Sequence, residues 1–147
     1  MVGFSLKLKN FKDAFFDRQA VVSAIDKVSI RVLSRFGAFV RRSAKGRIRR
    51  RKNPSLPGQS PSSHSGLLRD NIYFAMDLGN RSVVIGPAKL GGGTDAPHVL
   101  EYGGDTVISG GRSRGKRIHI EARPYMQPAF EENLSKLPDI WREAVIR

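Results

Sequence analysis

The 147-residue chain carries 26 Lys and Arg against 13 Asp and Glu, a formal net charge of +13, and no cysteine. The length suits a single domain, 1–147, with a core of useful size. The charge favours a polyanionic neighbour, nucleic acid first, and the absence of thiols excludes disulfides, thiolate catalysis and Cys-containing zinc sites.

"GFSLKLKNF" alternates Phe4, Leu6 and Leu8 against Ser5, Lys7 and Lys9, the period of a half-buried edge strand. From Asp17, which suits a helix N-cap, Val22, Ile25, Val28, Val32, Phe36, Phe39 and Val40 recur at three- and four-residue spacing. This predicts a long amphipathic helix running to about Ile48. Gly37 inside it costs about 1 kcal/mol relative to Ala, which a bend or a close packing neighbour explains.

Pro54, Pro57, Gly58 and Pro61, interleaved with Ser, forbid further helix and predict a flexible loop at 51–65. A helical turn around Leu67 and Leu68 leads to a strand with Ile72, Phe74 and Met76 on one face. "RSVVIGP" is its antiparallel partner across the turn "DLGN". "APHVLEYGG" reads as a helical turn closed by Gly103, and "DTVIS" with "KRIHIE" as a hairpin whose flexible tip lies at 109–116. Pro124 suits the first turn of a last helix striped by Ala129, Phe130, Leu134, Leu137, Ile140 and Trp141, which Pro138 should end or kink.

This order of elements predicts an α+β fold: a small antiparallel sheet covered on one face by the long N-terminal helix and a C-terminal helix. No apolar run approaches the roughly 18 residues that cross a bilayer. "MVGFSLKLKN" lacks the apolar core of a secretory signal, so a soluble chain made in a cytoplasm, with no membrane partner, is expected.

Catalytic signals are weak. In "GPAKLGGGT" the Lys precedes the glycines, whereas a phosphate loop needs Gly-Lys-Ser/Thr. Ser65-Gly66 lacks the flanking glycines of a nucleophile elbow. His98 and Glu101, three apart on one helical turn, can face each other as acid and base, and Asp105 is a further carboxylate for a metal or hydrolytic site. No nucleophile accompanies them, so no catalytic residue, cofactor or metal is expected.

Cations are the stronger signal. Arg41, Arg42, Lys45, Arg47, Arg49, Arg50, Arg51 and Lys52 crowd the end of the long helix, beyond what its dipole alone favours, and Arg112, Arg114, Lys116 and Arg117 mark the hairpin tip. Without interleaved aromatics they suit contact with backbone phosphates rather than stacking on bases. An acidic partner surface satisfies the same charges, because charge is specific for sign and not for partner.

Taken in order, "RRSAKGRIRRRK", "SLPGQSPSSHSGLLRDNI", "IYFAMD" with "RSVVIG", "APHVLEYGG" and "ARPYMQPAFEENL" resemble the gene-product-ten-like family of tailed-phage morphogenesis proteins. The likeness covers the chain from about residue 18; its departure is "SHSG", where many members carry Arg-Thr-Gly. It implies a neck, head-tail joining or tail-completion subunit of a long-tailed phage virion. Such a subunit forms a homo-oligomeric ring, meets the head connector and tail-tube or tail-terminator proteins, and encircles the packaged double-stranded DNA.

On that pattern Gly66, Leu67, Glu101, Tyr102, Gly103, Arg123, Pro124 and Tyr125 are structural or subunit-interface residues. Glu101 is a candidate ion-pair partner for Arg123, and Tyr125, Met126 and Phe130 fill the core. The alternative is a free-standing basic protein that binds DNA through its Arg-rich helix end.

Overall fold

The computed structural model describes residues 18–90, 95–108 and 110–146. The strand expected at Phe4–Leu8 and the cap expected at Asp17 lie outside them. The fold is α+β, built along one long helix, α1 (Arg18–Arg47). Two short strands, β1 (Arg49–Arg50) and β2 (Ser62–Ser63), form a parallel pair, and α2 (Leu67–Asp70) follows. β3 (Ile72–Asp77) and β4 (Ser82–Pro87) form an antiparallel ribbon, α3 spans Ala96–Tyr102, and β5 (Gly104–Val107) with β6 (Arg117–Ile120) forms another. Helices α4 (Met126–Leu134) and α5 (Leu137–Ile146) complete the order.

The expected antiparallel sheet is thus divided into separate two-stranded ribbons. The long helix packs against β3 and β4 and against both C-terminal helices. Val32, Phe36, Val40 and Ala44, spaced by four, are buried together with Ile48, Ile72, Tyr125, Ala129 and Ile140. At Gly37 an added Cβ would lie 2.9 Å from Phe74 Cδ2 and from Val83 Cγ2, so the close packing neighbour explains the glycine.

The predicted stripe is buried over part of its length. Val22 and Ile25 are exposed, as is the adjacent Val21, because the described C-terminal elements pack alongside the later turns of α1. The final helix is two: α4 ends near Ser135, and Pro138 lies in the first turn of α5, where its missing N–H costs nothing. Pro124 precedes the α4 N-cap, Tyr125, and is outside the helix. Phe130 remains 42% exposed, meeting Phe36 edge-on with centroids 5.7 Å apart, so it borders the core rather than filling it.

The 51–65 segment, expected to be flexible, has specific contacts. Gly58 N–H donates to Ala122 O at 2.8 Å, Ser60 Oγ donates to Pro124 O at 3.0 Å, and Arg123 Nε donates to Ser55 O at 3.1 Å. These bonds hold the loop beside the connection from β6 to α4.

Candidate cationic interface

The dense cationic run divides by what each side chain touches. Arg41 Nε donates to Ile72 O at 2.8 Å, with its guanidinium 5.8 Å from the Tyr73 ring centroid. Lys45 Nζ donates to Asp70 O at 3.1 Å and lies 5.9 Å from the same ring. Desolvation, reinforced by Arg41, lowers the Lys45 pKa from its usual value. Arg47 pairs with Glu132 at 2.9 Å, bridging α1 to α4. These three cations fasten α1 to its neighbours.

Arg42, Arg49, Arg50, Arg51 and Lys52 are different: all are exposed, and none has a side-chain hydrogen bond or ion pair among the described residues. The β1 strand carries Arg49 and Arg50 out of the helix, paired with Ser62 and Ser63. Arg50, Arg51 and Lys52 line a shallow cleft of about 390 Å³ with Ser63 and His64. At the hairpin tip Arg112, Arg114, Lys116 and Arg117 are exposed too. The tip is closed by Ile108 N–H to Lys116 O at 3.0 Å and Gly115 N–H to Ile108 O at 2.8 Å.

A second cleft, of about 360 Å³, separates the loop from β6 and shares His64 with the first. Its lining includes Ser55, Ser62, His119, Glu121 and Arg123. Among the described residues the buried Ser55 and Ser62 hydroxyl oxygens have no hydrogen-bond partner, and Ser55 as a whole is 5% exposed. Arg123 is held by Ser55 O and Glu121 O. Sequence reasoning missed this cleft because its walls come from segments some 60 residues apart; the Pro/Ser composition marks a loop, not where it docks.

Of the candidate catalytic residues, His98 and Glu101 line one open cleft of about 660 Å³, with Asp95 and Tyr102, and Asp105 lies outside it. The Glu101 carboxylate is 7% exposed and accepts hydrogen bonds from the Tyr125, Met126 and Gln127 amides at 2.9, 3.0 and 2.8 Å. It therefore caps α4, and among the described residues no hydrogen bond or ion pair joins it to His98 or Arg123. His98 lies 3.7 Å from Asp95 and 4.9 Å, centroid to centroid, from the Tyr102 ring. Asp105 is bound to His119 at 2.8 Å across the β5–β6 ribbon.

Among the described residues no group of three or more His, Asp or Glu could hold a metal ion. No described helix is long and apolar enough to cross a membrane. The "GPAKLGGGT" glycines at 91–93 lie outside the described residues.

The structural motif residues hold two junctions. Gly66, at φ 84°, precedes α2, and its N–H donates to Ser63 Oγ at 2.8 Å; Leu67 is exposed. Gly103, at φ 76°, closes α3 where a Cβ would come 3.1 Å from Ala122 N, and Tyr102 projects outward, 67% exposed. No protein-family model, no curated protein and no solved structure matches the chain.

Proposed function

We propose that this chain is a structural subunit of a long-tailed phage virion, acting at the neck or tail-completion position. In this reading copies assemble head to tail into a ring that joins the DNA-filled head to the tail, between the head connector and the tail-tube or tail-terminator proteins. The subunit is not an enzyme, takes no cofactor, and is made in the host cytoplasm before entering the virion.

One observation carries the reading. "HVLEYGG" and "ARPYMQPAF", the two most specific stretches of the family resemblance, fit together through Glu101 on the amides of residues 125–127 and through Arg123 N–H on Leu100 O at 2.7 Å. Their most distinctive side chain is thus occupied by architecture, as a structural part requires. Tyr102 beside the same junction offers an exposed amphipathic ring to a neighbour.

The test is genetic and visual. Deleting the gene from a phage that carries it should leave filled heads and finished tails unjoined, and the purified chain mixed with connector should give rings by electron microscopy. Normal virions from the deletion would sink the proposal. The competing reading, a free-standing DNA-binding protein, draws on the unpaired Arg49–Lys52 run and predicts DNA binding with no assembly defect.

A further inference from the structure

We propose that the cleft between the 54–64 loop and β6 seats a phosphate group of a nucleic-acid backbone, with the Arg50–Lys52 cleft taking a neighbouring phosphate. The proposal names what the basic surface meets and rests on the assembly reading only for its biological setting.

The first argument is the wall chemistry. Two buried serine hydroxyls without partners among the described residues are an unsatisfied pair of donors, each costly to leave unmade, and both residues belong to the lining of one cleft. Arg123 adds a guanidinium whose plane is fixed by Nε on Ser55 O and Nη1 on Glu121 O, leaving further N–H groups without an acceptor among the described residues. His64 and His119 complete a set of donors suited to a tetrahedral oxyanion. One carboxylate, Glu121, shares the lining, and Asp105 is engaged with His119.

The second argument is continuity. His64 belongs to both clefts, so the donor set of the first runs directly into the exposed Arg50, Arg51 and Lys52 of the second. Arg117 lies two residues before His119 on β6, on the same exposed side of the strand. A phosphodiester chain presents successive anions along such a track, and its contacts are made by just these side-chain types.

The experiment is fluorescence anisotropy of the full chain with a short mixed-sequence duplex, between about 50 and 200 mM salt, with polyglutamate of matched charge as competitor. The wild-type chain should bind the duplex with a steep salt dependence, and polyglutamate should compete poorly. A Ser62→Ala/His64→Ala variant should weaken binding by roughly 3- to 10-fold at fixed salt. Replacing Arg50, Arg51 and Lys52 by Gln should flatten the log–log salt slope by about 2 to 3. Titration with inorganic phosphate should move the His64 and His119 ring signals saturably in nuclear magnetic resonance spectra.

No duplex binding at the lowest salt overturns the proposal. So does unchanged affinity in a Ser62→Ala/His64→Ala variant with wild-type circular dichroism. Competition by polyglutamate as strong as by DNA overturns it in favour of an acidic protein partner. Duplex binding through this cleft by a chain that never forms rings would sink the assembly reading alone; rings from a chain that binds no duplex would sink this one alone.

Discussion

Glu101 and Gln127, 26 positions apart, are joined by a 2.8 Å hydrogen bond from the Gln127 amide to the Glu101 carboxylate. With the bonds from Tyr125 and Met126, one buried side chain satisfies three of the amides that a helix start leaves open. The capping carboxylate comes from α3, not from the residue before the helix, and it places a negative charge at the positive end of α4.

Glu101→Gln keeps the size but sets an amide group against backbone donors. It should lower the unfolding free energy by about 2–4 kcal/mol, the scale of losing charge-assisted bonds to a buried group. Urea denaturation measures this, and a change under about 0.5 kcal/mol would contradict the capping role.

Two glycines in α1 should respond to Ala with opposite sign. At Gly37 the new methyl would collide with the Phe74 ring and Val83, so overpacking of about 1–3 kcal/mol should outweigh the helix-propensity gain of about 1. At Gly46 an added Cβ would meet nothing within 4 Å beyond its own helix turn, so Gly46→Ala should stabilise by about 0.5–1 kcal/mol. Thermal melts of the two variants give the comparison directly.

Burial, with the Glu101 carboxylate adding to it, raises the Tyr125 pKa well above the usual phenol value. The folded state holds this proton to higher pH than the unfolded chain does, so the contribution is complete below about pH 10. Above that pH it should fall by about 1.4 kcal/mol per unit until the folded phenol ionises as well. Denaturation of wild type and Tyr125→Phe should therefore diverge in slope above pH 10; parallel curves would refute the assignment.

Arg47 and Arg50 are three apart but should behave differently. Arg47→Ala removes a half-exposed pair with Glu132 and should cost at most about 1 kcal/mol, diminishing with salt. Arg50→Ala, at an exposed side chain without a partner among the described residues, should leave stability within about 0.5 kcal/mol. Urea midpoints at low and high salt separate the two.

Hydrophobic periodicity and turn residues were enough to locate α1, expected from Asp17 to about Ile48 and found at Arg18–Arg47, the β3–β4 and β5–β6 ribbons and the α3 turn ended at Gly103, because those signals are local. Apolar spacing also marked Val32, Phe36 and Val40 as core. It extended the stripe back to Val22 and Ile25, since period reports which face is apolar and not whether anything covers it. Pro138 was legible as a break, yet the same residue opens α5, because proline at a helix start and proline after a helix end look alike in one dimension.

Sequence alone determined the long helix, the two antiparallel ribbons, their order and the excess of positive charge, but not the β1–β2 pair or the division of the last helix into α4 and α5. Tertiary structure decided which charges are free. Arg41, Lys45 and Arg47 are occupied by Ile72, Asp70 and Glu132, while Arg49–Lys52 are left to solvent. It also moved Glu101 from a candidate acid to a helix cap and brought Ser55, Ser62, His64, His119 and Arg123 around one cleft. The physical reason is range: propensity and periodicity act over a few residues, whereas a charge's partner and a cleft's walls depend on contacts between segments tens of residues apart.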